Sequence, residues 1–304
     1  MDLHGTGHIG DIVGCDAFMV RWVGIHNTVA ARRIIPAVES GLGIPTFPST
    51  SLALLARDKI YQQMLLDSAS VPTPRTWVFF REEDALDFSQ EATYPLVVKT
   101  SSGFGSDGVT LVRTRREAEA YVREMFRFGV THMYQATGPT RRRVLRRARQ
   151  AVRFLAGEAR PIEREGSYAF FQEFLPGNEF DTRVVIIGRY AAACRRMNRP
   201  GDFRASGSGR NDADPSSIDL SVVRFAYSVS RSLNLPFVAV DVFYREGQPV
   251  VCELNFAYLV GPIAKCPCLW FLDSQADVDA IERRDEPISP EVLTLTEFLR
   301  LHSL

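Results

Sequence analysis

Lysine is nearly missing from this chain: of 36 basic residues in 304, only Lys59, Lys99 and Lys265 are lysines, and the rest are arginine. Arginine serves wherever a generic positive charge will do, whereas a tight site that admits only a compact ammonium excludes the planar guanidinium. The three lysines are therefore singled out as candidate site residues, against chance survival. Net charge is also lacking, because 36 basic residues balance 36 acidic ones. That balance gives no general reason to expect nucleic acid or an anionic membrane as partner. No apolar run approaches the roughly 18 residues that a membrane span requires. The opening stretch "MDLHGTGHIGDIVGC" has no basic n-region and no apolar h-region, so a signal peptide is not expected and the cytoplasm is the default address.

Cysteine is sparse, and five scattered cysteines argue against a disulfide framework. Cys266 and Cys268 form C-P-C without a second cysteine pair or nearby histidine to complete a zinc site; they read as ordinary buried thiols. Histidine is confined to His4, His8, His26, His132 and His302, outside every motif described below. No convincing Ser-His-Asp or Cys-His set is evident, and no internal repeat. What is present is a globular composition, 45% hydrophobic and 24% charged, at a length that holds one large domain or two.

The stretch "VVKTSSGFGSDGVTLV", residues 97–112, contains G-x-G-x-x-G at Gly103, Gly105 and Gly108. A dinucleotide-binding fingerprint needs a helix directly after the loop, but Val109 to Val112 read as a strand. A protein-kinase loop lies between strands but carries its lysine on a later one; here Lys99 comes before the glycines and the next lysine is Lys265. What remains is a β-hairpin with a lysine on its first strand. Its Gly/Ser tip either folds over phosphates with backbone N–H groups or is simply exposed to solvent.

Along the chain, residues 1–50 read as a short α/β unit with a strand near Ala17–Val23 and a helix near Asn27–Glu39. One helix is expected from a cap at Ser51 through "LALLARDKIYQQMLLDSA", on the spacing of Leu52, Leu55, Ile60 and Met64. Strand, helix, the Lys99 hairpin and a helix at Arg116–Phe128 follow. An arginine-rich helix is expected over residues 144–155, either a patch for an anionic substrate or a basic solvated face. The second half is strand-rich, with hairpins turning at Gly188-Arg189 and at Gly247. Between them the spacing gives a helix near Ile218–Leu233, and a last helix has Ser289 as cap and Pro290 in its first turn.

The hairpins carry the chemistry. A turn at Gly247 sets Asp241 opposite Glu253, and Asn255 shares the face of Glu253. Oxygen donors packed in apolar sequence repel unless a hard cation such as Mg²⁺ neutralises them; the alternative is that each points to solvent or to an arginine. A two-residue turn at Gly188-Arg189 sets Asp181 opposite Arg196, with Arg183 on the same face and Arg204 in the following Gly/Ser loop. These arginines suit a developing phosphoryl charge or a structural Asp–Arg pair. Glu173 and Glu179 flank an "LPG" break, a place where backbone groups can read an adenine edge while a carboxylate holds ribose.

Lysine on a helix, lysine before a Gly-rich hairpin, "QEFLPGNEFD", an arginine-bearing hairpin and a late D…E-x-N, in that order, resemble the ATP-grasp superfamily. "RVVIIG…RRMNRPGDFRASGSG" is similar to its ribosomal-protein glutamate-ligase-like (RimK-like) branch. The resemblance covers about residues 45–260 and implies an α+β fold of two lobes gripping ATP, with the boundaries 1–50, 51–172 and 173–304. It implies that Lys59 and Lys99 contact phosphates and that Ser102, Gly103, Gly105, Ser106 and Gly108 close over them. Glu173, Phe174 and Leu175 would face adenine and Glu179 ribose. Asp241, Glu253 and Asn255 match Mg²⁺ ligands, and Arg183, Arg196 and Arg204 are candidates around the transferred phosphoryl group. The activity implied is ATP-dependent ligation of a small-molecule carboxylate to an amine through an acyl phosphate; a small-molecule kinase and a non-catalytic nucleotide-binding regulator are the alternatives. The sequence leaves room for an oligomer.

Overall fold

The computed structural model describes residues 8–21, 25–55, 58–102, 108–130, 164–256, 258, 260–273, 280–286 and 289–304. Two compact units emerge, one made of Met1–Thr73 with Gly177–Leu304 and the other of Pro74–Pro176.

In the N-terminal part of the first unit, β1 (Phe18–Met19) pairs in parallel with β2 (Thr46–Phe47). The helix between them runs over Ile25–Pro36 and continues as a wider turn through Ala37–Gly41. The single helix expected after Ser51 is two. The first spans Thr50–Leu55, and the Oγ that accepts from an amide of its first turn, that of Leu52, belongs to Ser49. The second spans Lys59–Ser68 and starts because the Asp58 carboxylate accepts from the Tyr61 amide, satisfying a donor that the first turn leaves without a partner. The break puts Lys59 in the first turn of a helix whose Gln62 side chain accepts from the amide of Leu254.

The second unit is a four-stranded antiparallel sheet in the order β3 (Thr76–Phe79), β6 (Ala169–Glu173), β4 (Leu96–Lys99), β5 (Val109–Val112). Helices Glu82–Glu91 and Arg115–Arg127 belong to it. The latter buries Ala118, Tyr121, Val122 and Met125, at the three- and four-residue spacing of one helix face. Phe79, Phe88, Phe171 and Tyr121 meet edge to face or tilted, at centroid distances of 5.1–6.3 Å, an arrangement that suits aromatic quadrupoles. The buried Tyr121 hydroxyl finds the carbonyl of Lys99 at 3.0 Å and the amide of Phe170 at 3.2 Å, so it ties β4 and β6 together at the lysine.

The main sheet of the first unit has seven strands. Its path runs β11 (Gln248–Asn255), β10 (Phe237–Arg245), β7 (Phe180–Ile187), β8 (Tyr190–Met197), β12 (Leu269–Phe271), β13 (Glu282–Arg284), with β9 (Asn211–Asp212) on β8. Every pairing in it is antiparallel. Both hairpin registers match the sequence reading: Asp181 opposes Arg196, and Asp241 opposes Glu253. Helix Leu220–Ser232, capped by the Asp219 carboxylate, buries Val222, Val223, Ala226, Tyr227 and Val229 in the core built on this sheet. At the β7–β8 turn Gly188 has φ +60°, and a Cβ there would collide with Glu297 of the C-terminal helix Pro290–His302. Pro290 opens that helix as expected, although Ser289 makes no side-chain cap bond. Among the described residues, no helix is long and apolar enough to cross a membrane.

Candidate functional site

Pairing β10 with β7 joins the two hairpins. Asp241 thereby faces Arg183 on one side and Glu253 on the other, so that charges read separately from sequence stand side by side. Arg183 donates Nε and Nη2 to the two oxygens of Asp241, both at 2.7 Å. Arg196 grips Asp181 in the same bidentate way at 2.6 Å and sends Nη2 to Asp241 at 2.7 Å. Asp241 is only 2% exposed, and Arg196 and Asp181 are buried with it. Two carboxylates and two guanidiniums cancel in charge, as groups this deep must. Burial alone would raise the pKa of Asp241, yet Arg183 and Arg196 together hold it below the usual carboxylate value. Burial pushes Asp181 upward, and the charge of Asp241 adds to the rise. Arg196 stays firmly protonated despite burial, because both aspartates face it.

The ladder shifts register between Asp241 and Val242, where Cys252 becomes the extra residue on β11. Such a bulge twists a strand and re-aims its side chains; here it falls at the acidic pair. Lys59, 6% exposed, places Nζ 3.6 Å from Glu253 Oε1. The bond from the Leu254 amide to Gln62 at 3.0 Å fixes the lysine's helix against β11. Lys59, Arg183 and Arg196 thus stand around an Asp241–Glu253 pair.

The donor set suits a hard divalent cation. Asp241 accepts three N–H groups, which leaves a share of its lone pairs, and Glu253 and Asn255 add a carboxylate and an amide oxygen. Among the described residues no three His, Cys, Asp or Glu side chains gather at one point; three donors are reached here only with Asn255. Cys266 and Cys268 are buried free thiols, as expected, with Cys266 Sγ on the carbonyl of Ala193. Arg204 lies in its loop with Nε and Nη2 on the carboxylate of Asp202, at 2.6–3.0 Å.

In the second unit Lys99 closes β4 and is 6% exposed. Among the described residues its ammonium has no carboxylate partner. The amide of Thr100 reaches the carbonyl of Gly108 at 2.9 Å, which extends the hairpin, and Gly108 turns with φ +72°. Gly103, Gly105 and Ser106 lie outside the described residues, as does the expected helix at 144–155. Two residues that the sequence did not flag organise the start of this loop. Glu165 accepts the Ser102 amide at 3.1 Å and the Ser102 hydroxyl, while Tyr168 accepts the Ser101 amide at 2.7 Å and donates to Glu165. Nothing local to Glu165, more than sixty residues from Ser102, signals that contact.

Glu173 ends β6 with its carboxylate on the Arg75 amide and guanidinium. Half-buried Phe174 and Leu175 follow, and the chain leaves the second unit after Pro176. On the first unit, the Asn178 side chain pairs with the backbone of Tyr244 in both directions, and exposed Glu179 follows it.

Two lobes of this construction, with a lysine-bearing hairpin in one and acidic, arginine-bearing strands in the other, are those of the ATP-grasp fold. A solved D-alanine–D-alanine ligase from Bacillus anthracis complexed with ATP superposes with a TM-score of 0.54, at 16% identity, over 97% of this chain and 83% of its own. The chain has the ATP-grasp fold. Residues 144–264 match the RimK-like ATP-grasp domain, and residues 58–136 match the carbamoyl-phosphate synthase L chain, ATP binding domain. The ribosomal protein bS6–L-glutamate ligase of Escherichia coli O139:H28 (strain E24377A / ETEC) is 25% identical over 203 residues, 66% of this chain and 55% of that protein. A D-alanine–D-alanine ligase of Synechococcus sp. (strain JA-2-3B'a(2-13)) is 30% identical over 107 residues, 34% of this chain and 32% of its own length. The chain spans about a third to just over half the length of these two curated relatives.

Proposed function

We propose that this protein is an ATP- and Mg²⁺-dependent carboxylate–amine ligase. A substrate carboxylate oxygen attacks the γ-phosphorus of ATP and ADP leaves; an amine nitrogen then attacks the acyl carbon, phosphate leaves, and an amide remains. The observation that carries this reading is the Asp241–Glu253 pair, in register across two strands and ringed by Lys59, Arg183 and Arg196. With Asp181 the cluster holds three cations and three carboxylates and is neutral, so a polyphosphate would enter it together with a divalent cation. A bound Mg²⁺, held by Asp241, Glu253 and Asn255, would supply neutralisation of phosphate charge.

The chain's own residues then do the positioning. Lys99 is a buried lysine with no carboxylate partner among the described residues, and a phosphate oxygen would complement its charge. Lys59 serves the phosphates and the loop of Ser102, Gly103, Gly105, Ser106 and Gly108 closes over them, with Glu173, Phe174, Leu175 and Glu179 at adenine and ribose. Arg183 and Arg196 sit where charge develops on the transferred group, and Arg204 is a peripheral contributor. No protein nucleophile is needed, because positioning and charge neutralisation supply the catalysis.

The test is phosphate release from Mg·ATP with acids and amines added singly and in pairs. Release that requires both supports the ligase; ADP without free phosphate would make the protein a kinase. Glu253→Gln is expected to lower turnover at least 100-fold with an unchanged circular dichroism spectrum. Wild-type turnover in that variant would remove Glu253 from the proposed metal set.

A further inference from the structure

A cavity of about 220 Å³ lies within the first unit, at the far end of β7 and β10 from the buried arginines. Its walls are Met19, Phe47, Ile187, Phe237 and Phe256, with Tyr258 and Thr294 completing them. Phe237 pairs with Ile187, and Asp241 pairs with Arg183. Four residues of strand, about 13 Å, therefore separate the two places. Alternation puts Ile187 and Phe237 on the sheet face that carries Arg183 and Asp241. Tyr258 connects them further, since its phenol lies within electrostatic reach of Arg21 and Glu291 at the cavity and of Arg183 at the acidic pair.

The cavity rim is not apolar. Arg21 Nη1 stands 3.7 Å from Glu291 Oε1, Arg21 Nη2 donates to the Tyr258 carbonyl, and the guanidinium lies 5.5 Å from the Tyr258 ring centroid. Arg21 and Glu291 are 38% and 61% exposed. A pair so open contributes little on its own and opens readily. One cation and one anion over an apolar chamber complement a zwitterion with an apolar tail. The volume suits a ring or a branched aliphatic group, since a dry apolar cavity of roughly 150 Å³ accepts benzene.

We infer that this cavity is the side-chain pocket for the amine substrate, an α-amino acid with an apolar side chain of up to ring size. Arg21 holds its carboxylate and Glu291 draws in its ammonium. With the carboxylate engaged, the nitrogen is the group left to react once its ammonium has given a proton to Glu291. The place of this nitrogen in amide formation rests on the ligase reading; occupancy of the cavity does not.

The test separates the two. Calorimetric titration of the whole protein with L-phenylalanine, L-leucine, L-glutamate and L-lysine, without ATP, reads the pocket alone. Binding of the first two at least tenfold tighter than the last two is expected. Thr294→Trp, which fills the chamber, should weaken L-phenylalanine at least tenfold and leave ATP affinity unchanged. Arg21→Met should weaken all amino acids. L-phenylalanine binding that survives Thr294→Trp, or a preference for charged side chains, would overturn the assignment. Apolar binding lost in Thr294→Trp, beside a failure of any acid and amine to release phosphate, would keep the pocket and remove the ligase.

Discussion

Asp241 shows how much one residue can depend on its neighbours. It accepts from two arginines while nearly sealed from solvent, and removing one partner of such a cluster leaves a buried charge uncompensated. Asp241→Asn is therefore expected to destabilise the protein by about 3 kcal/mol, read as a lower urea midpoint with an unchanged slope. The sequence reading left Asp241 open between a metal cation, solvent and an arginine. Local pattern could not decide it: the choice follows from β10 lying next to β7, a pairing between hairpins some fifty residues apart. Glu165 was invisible for the same reason, since its partner Ser102 is reached only through the folded second unit.

At the scale of elements, the C-terminal helix locks the β7–β8 turn. Glu297 is fully buried and accepts from the amide and guanidinium of Arg189 and from Arg300. Burial would raise its pKa, yet Arg300 and Arg189 hold it below the ordinary glutamate value. A carboxyl depressed in the folded state contributes stability above its unfolded pKa, about 4.3. That contribution is lost as pH falls through the folded value. Glu297→Gln should therefore unfold more easily at neutral pH and show a shallower loss of stability below about pH 4, measured by urea titrations at several pH values. Gly188→Ala should destabilise by about 1–3 kcal/mol or more, because φ is positive and Glu297 fills the space. Hairpin turns were legible from period-two alternation around Gly188 and Gly247. The break between the two helices at 50–68 was not: apolar spacing runs on through Ile60 and Met64, although Met64 is largely exposed, while the deciding signal was a single cap at Asp58.

Across the whole molecule, the cysteines report on global unfolding. Cys194, Cys266 and Cys268 are buried in the first unit's core, while Cys15 is exposed. Burial raises the thiol of Cys194 to about 11 and that of Cys266 to about 12, so neither is a thiolate at neutral pH. Iodoacetamide on the native protein should modify Cys15 first and reach these three only in denaturant, as peptide mass mapping would show. Fast native labelling of Cys266 would contradict its place in the core. The α+β elements were readable because paired strands and capped helices leave local marks, whereas the two-lobed plan came from the family resemblance that the motif order carries. Which sequence segments share a unit leaves none.

That division has a consequence for how the chain is made. The second unit occupies one unbroken stretch, Pro74–Pro176, whereas the first is assembled from both ends of the sequence. On the ribosome, every strand of the inserted sheet has been synthesised by residue 173, while the first 73 residues still lack the strands that bury Ile35, Leu52 and Leu55. Those side chains must remain uncovered through the synthesis of more than a hundred further residues, many seconds at ordinary elongation rates. During that interval the stretch that carries Ile35, Leu52 and Leu55 presents apolar surface that a chaperone would cover.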